Sequence, residues 1–200
     1  MKELSLLNNQ DQKSLRETIE QACGILLPED SGKFGTLSFH LFAHSGQKSI
    51  NEEIDTYFQI RWGMHSIYKS KHFTFKKDAD IVSALQKRIH QARETIRKEF
   101  HRYCEDQLRS IVSLELEPKM QRRFPGSHTF NLGLCHGRKP GKQVNNFGWP
   151  YYCIFISWYD ELDEFQEFLY PVKFDAEQRT FIIPVEDVLQ KFHQFRDTVF

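Results

Sequence analysis

"DADIVSALQKRIHQARETIRKEFHRYCEDQLR", residues 78–109, decides the fold. Ile81, Leu85, Ile89, Ala92, Ile96, Phe100 and Tyr103 recur at steps of three or four, the spacing of one face of an α-helix. Lys87, Arg88, Arg93, Glu94, Arg97, Lys98 and Glu99 fill the opposite face. Asp78 stands where an N-cap is needed, so the pattern predicts one amphipathic helix from Asp78 to about Arg109. At 1.5 Å per residue it is roughly 45 Å long, more than a small domain is wide. One end is therefore expected to project or to meet a partner.

On either side the hydrophobic period changes. Upstream, Ser14 and Glu17 have the S-x-x-E form of a capping box, which predicts a helix from Ser14 to Cys23 stopped by Gly24. "TLSFHLFAH" (36–44) alternates Leu37, Phe39 and Leu41 with Ser38, His40 and Phe42 and predicts a strand. "TYFQIRWGMHSIY" (56–68) and "HFTFKK" (72–77) predict two more. Downstream, "YYCIFISWY" (151–159) is apolar on both alternating faces, as in a central strand. "EFLYPVKFD" (167–175) and "RTFIIPVED" (179–187) form a hairpin through "DAEQ", with Pro171 and Pro184 drawn to strand ends or edges. A last helix runs from Val185 to about Thr198. The order helix, strands, long helix, strands, helix gives an α+β class: a mainly antiparallel sheet against one long helix, with N- and C-terminal helices, as one domain over 1–200.

With 40% hydrophobic residues and eighteen Phe, the 200-residue chain has an aromatic-rich core and needs neither metal nor disulfide to fold. Twenty-seven basic residues balance twenty-seven acidic ones, which argues against a general nucleic-acid coat and leaves local patches to set any partner. Cys23, Cys104, Cys135 and Cys153 form no CxxC pair, so no zinc framework is legible. Neither a signal-peptide core nor a run long enough to span a membrane is present. These features predict a cytoplasmic protein with reduced thiols and no membrane partner.

Charge is segregated along the C-terminal half. Pro118 to Tyr159 holds no acid, while Lys119, Arg122, Arg123, Arg138, Lys139 and Lys142 are positive. Asp160 to Glu177 then holds seven acids and one lysine. Within the basic stretch, "GRKPGK" (137–142) puts Gly137 and Gly141 beside cations, a chemistry suited to phosphate or carboxylate. It is not a P-loop, because Gln143 follows Lys142 where Ser or Thr is required. Trp149 supplies an apolar anchor after the basic tip, and Tyr151 a possible exposed ring.

Three catalytic arrangements are weaker. Cys135 and His136 are adjacent, so on an extended chain they point apart; His128 is the nearest alternative base for a thiol. "SIVSLELEPK" (110–119), read as a strand, faces Val112, Leu114 and Leu116 inward and aligns Glu115, Glu117 and Lys119 on the other side. Glu-x-Lys at a strand end suits a Mg²⁺-dependent nuclease, with Asp55 the best available third carboxylate. His72-Phe73-Thr74-Phe75 resembles one half of a two-histidine phosphoesterase pattern whose second half is missing, and His40 and His44 could share a metal only on a helix.

The leading expectation is a non-enzymatic binding protein that contacts a protein or other anionic macromolecule, without cofactor, through Arg122, Arg123, Arg138, Lys139, Lys142 and Trp149. The alternatives are a Mg²⁺-dependent nuclease using Glu115, Glu117 and Lys119, and a nucleotide or phosphate sensor using the glycine-rich loop. Oligomeric state is left open.

Overall fold

A computed structural model describes residues 2–4, 6–29, 34–43, 53–76, 80–135 and 144–199. The chain divides into two compact units, Met1–Tyr103 and Cys104–Phe200. Each is described by itself.

The first unit opens with β1 (Lys2–Leu4) and α1 (Asn9–Cys23). The helix starts earlier than the Ser14–Glu17 box predicts. Asn8 is the cap: its Oδ1 accepts from Asp11 N at 3.0 Å, and Asp11 Oδ2 accepts from Asn8 N at 2.9 Å. Gly24 ends the helix as expected, in the left-handed conformation with φ 62°. Four strands follow: β2 (Leu37–Ala43), β3 (Glu53–Trp62), β4 (His65–Lys69) and β5 (Phe73–Lys76). The predicted strand 56–68 is thus two, folded back at Gly63, whose φ is 57°. β1, β2, β3 and β4 lie side by side, all antiparallel, and β5 pairs with the first half of β3.

The long helix, α2, spans Ile81–Ile111. Asp80 performs the capping, its carboxylate accepting from Ser83 N at 3.2 Å and Ser83 Oγ at 2.6 Å; Asp78 lies outside the described residues. In the first unit Leu85, Ile89, Ile96 and Phe100 are buried with Leu15, Ile19, Phe39, Phe58, Ile60 and Trp62. Gln86 bridges to α1, its Nε2 lying 3.1 Å from Ser14 Oγ and 3.2 Å from Thr18 Oγ1.

In the second unit the helix does not stop near Arg109. It passes through a π-turn at Val112–Leu116 into α3 (Glu117–Arg123). The strand read over 110–119 is therefore corrected to helix. Pro118 supplies the physical reason for the wide turn. It lacks an N–H, and its ring would strike the carbonyl four residues back in a regular α-helix. The buried positions confirm the winding. Cys104, Leu108, Val112, Leu116 and Met120 are all buried at a strict step of four, while Leu114, read as a core residue, is 77% exposed. Four residues overshoot one α-turn by about 40°, and the wider π-turn absorbs that drift.

After α3 come β6 (Thr129–Leu134), β7 (Tyr152–Tyr159), β8 (Phe165–Asp175), β9 (Thr180–Ile182) and α4 (Val185–Val199). The sheet order is β6-β7-β8-β9, antiparallel throughout, with β7 interior as its two apolar faces imply. Ile154, Ile156, Trp158, Phe168, Tyr170 and Leu132 are buried, and Phe192 of α4 meets Trp158 and Phe168 ring to ring at 5.0 and 5.7 Å. Both units fit the α+β class. Among the described residues no helix is long and apolar enough to cross a membrane.

Candidate interaction surface

Arg122 and Arg123 occupy the last turn of α3, where the negative end of the helix dipole favours cations. Both are exposed. Beneath them Phe124 is buried against Phe192 at 5.1 Å. The guanidinium of Arg123 lies 5.9 Å from the Phe124 centroid and that of Arg196, from α4, lies 5.8 Å away. One acid intrudes: Glu186 accepts from Lys119 Nζ at 2.9 Å and lies 3.9 Å from Arg123 Nη1. The Lys119 hydrogen bond, followed by its charge, holds the Glu186 carboxyl below the usual range. Arg122 makes no ion pair among the described residues. Arg138, Lys139 and Lys142, with Gly137, Gly141 and His136, lie outside them.

Trp149 is corrected from exposed anchor to core. It is fully buried, 5.3 Å from Phe181 and 6.2 Å from Phe174. The preceding asparagine explains why. Asn145 Oδ1 accepts from Phe147 N at 3.0 Å and Trp149 N at 3.1 Å, turning the chain so that the indole enters the sheet. Tyr151 remains 46% exposed.

The reduced state expected of all four cysteines is also corrected: Cys135 and Cys153 form a disulfide. Their Cα atoms are 5.1 Å apart, as bridging requires, because β6 and β7 pair Gly133 with Cys153 and carry Cys135 past it. Cys23 and Cys104 are free and buried; burial pushes the Cys23 thiol up to about 11 and Cys104 well above its usual value.

The extended Glu-x-Lys geometry does not form. Glu115 lies in the π-turn, Glu117 opens α3 and accepts from Ser113 Oγ at 3.3 Å, and Lys119 is engaged by Glu186. Asp55 belongs to the first unit, where it faces His72 at 3.5 Å. His40 pairs with Ser38 and Glu3 on the surface of β2, and His44 lies outside the described residues. Among the described residues no group of three or more His, Cys, Asp or Glu is set to hold a metal.

Two features escaped the sequence. The first is a groove of about 290 Å³ where β8 leaves β7 for β9, floored by Pro171, Ile182 and Pro184 and rimmed by Lys173 and Lys191. At its side Asp187 accepts from the Tyr170 hydroxyl at 2.5 Å and from Lys191 at 2.9 Å. Burial, reinforced by that hydrogen bond, raises the Tyr170 pKa. The second is the outer face of the second sheet, where Tyr159, Phe165 and Leu169 are all about half exposed or more. The strand alternation contained that face, but apolar residues on both sides hid which one was covered. Comparison with protein-family models, curated proteins and solved structures found no match.

Proposed function

We propose that this chain is a non-enzymatic interaction protein that captures an anionic macromolecule through a cationic surface on its second unit. The observation that supports it is the group around Phe124. The guanidinium groups of Arg123 and Arg196 meet over the Phe124 ring, Arg122 is exposed in the same last turn of α3, and Glu186 is the acid paired there with Lys119 and Arg123. Rigid helix ends hold such side chains in place at low entropic cost, and a local field acts even when net charge is zero. Arg138, Lys139 and Lys142 belong to the same acid-free stretch of sequence and are assigned to the same proposed role. A protein partner is favoured over nucleic acid, because the burial of Trp149 removes the ring best placed for base stacking.

The test is retention on immobilised polyglutamate and on single-stranded RNA over a salt gradient. The wild type is expected to bind polyglutamate, and the double variant Arg122→Glu, Arg123→Glu to bind about tenfold more weakly. Adding Arg138→Glu, Lys139→Glu and Lys142→Glu should abolish retention with an unchanged thermal midpoint. Equal retention of all three proteins sinks the proposal.

A further inference from the structure

We propose that β8 is a self-association edge, and that a second copy of the chain adds antiparallel to residues Phe165–Pro171 to form a closed dimer.

The argument begins with hydrogen-bond parity. β8 pairs with β7 from Phe165 to Val172, whereas β9 covers its other side only from Lys173 to Asp175. Pro171 stands opposite Cys153 and has no N–H, so that pair cannot be a bonded one. Asp160 N donates to Glu164 O at 3.0 Å, which fixes the same parity from the other end. Gln166, Phe168 and Tyr170 therefore bond to β7, while Phe165, Glu167 and Leu169 turn their N–H and C=O groups outward. No described strand covers that side. The open run is about 23 Å long at 3.3 Å per residue.

Of the exposed side chains of Phe165, Glu167 and Leu169 on this edge, the two flanking Glu167 are apolar where a lone surface strand would be polar. Phe165 is 59% and Leu169 49% exposed, and Tyr159 packs on Phe165 at 5.8 Å. The next strand continues the face: Phe155 lies over Gly133, where a Cβ would come within 3.0 Å of its ring. Joining two copies edge to edge brings their Phe165 and Leu169 side chains together and extends one sheet into the other.

Charge selects the occupant. Asp160, Glu161, Asp163 and Glu164 precede the edge; Lys173 follows it directly, ahead of Asp175 and Glu177, and Lys191 beside it is paired with Asp187 at 2.9 Å. This polarity is self-complementary under a two-fold axis, since each acidic end meets the lysine end of the other copy. The register that keeps Glu167 from its own image sets Glu167 opposite Leu169 of the second copy and Phe165 opposite Pro171 of the second copy. Pro171 and the β9 pairing beyond it end the ladder, so the contact closes on itself and does not propagate.

Light scattering on the full chain, over about a hundredfold range of concentration, reads the mass directly. A species of twice 23.8 kDa is expected, with slowed amide exchange at Phe165, Glu167 and Leu169 as concentration rises. Glu167→Pro removes only an outward N–H and should weaken the dimer about tenfold to a hundredfold with the monomer still folded. Leu169→Lys and Lys173→Glu, which leave the backbone untouched, should each weaken it as well. A monomer at every concentration overturns the proposal. So does a dimer that none of the three substitutions weakens, or one in which those three amides exchange as in the monomer.

Discussion

The two sheets treat their exposed edges in opposite ways. In the first unit β1 covers β2 only at Leu41–Ala43, and Gln12 of α1 takes over at Phe39. Its Nε2 donates to Phe39 O at 3.1 Å and its Oε1 accepts from Phe39 N at 2.9 Å, so one side-chain amide stands in for a missing strand residue. Among the described residues of the second unit, the corresponding groups of Phe165, Glu167 and Leu169 have no such substitute. An edge can be closed from within by one well-placed amide, or left for another chain. The difference locates the edge at which the proposed dimer forms.

The sharpest way to break the comparison is with proline at neighbouring positions of β8. Phe168→Pro removes a bond to β7 and a buried ring, and should cost more than about 3 kcal/mol in urea unfolding. Glu167→Pro should shift the monomer by well under about 1 kcal/mol. Equal costs would show that the parity assigned to β8 is wrong.

On the far side of the same sheet β6 is tied to β7 by a covalent link. Reduction of Cys135–Cys153, or the double Ser variant, opens a loop of sequence separation 18 and should cost about 3 kcal/mol. Thermal midpoints with and without reductant measure it; no difference would mean that the bond does not form. Gln12→Ala should cost about 1–3 kcal/mol by leaving two backbone groups of β2 unpaired, and should speed exchange at the Phe39 amide. Unchanged exchange at Phe39 would remove the contrast between the two edges.

The smallest effect expected is pH dependence at His128, which lies 6.2 Å from Trp158 and 5.6 Å from Phe192. Burial holds its imidazole below the ordinary value of 6.5, so the unfolded chain takes up the proton first. Its contribution is present above pH 6.5 and is lost as pH falls through the lower folded value. His128→Phe should flatten the fall in thermal midpoint on that acid side. A slope as steep as in wild type would assign it to other groups.

Regular elements were legible wherever one period held over many residues, as in α2, β2 and the β8–β9 hairpin. Legibility failed where two periods overlapped. Val112, Leu114 and Leu116 alternate as a strand does, and only burial distinguishes the strict four-step of Val112 and Leu116 from the exposed Leu114. Asn8 and Asp11 outcompeted Ser14 and Glu17 as a cap because Ser14 turns instead to Gln86. At the candidate site, the exposure of Arg122 and Arg123 followed from their charge. The meeting of Arg123 with Arg196 over Phe124 needed α3 and α4 to come together from distant parts of the chain, which local pattern does not carry. Trp149 was misplaced because an asparagine turn, not hydrophobicity, sets its direction.

Pro118 and its π-turn give the helical segment a place where chain length is negotiable. A turn whose hydrogen bond spans five residues, as from Glu117 N to Val112 O, already holds a residue more than regular winding requires. Losing Ser113 alone would leave Pro118 in a regular α-turn, with its ring against the carbonyl four residues back. Losing Ser113 together with Pro118→Ala leaves a segment of ordinary winding with Leu116 and Met120 still near the buried line. The proline and the extra residue are therefore a matched pair, which insertions and deletions must keep or discard together.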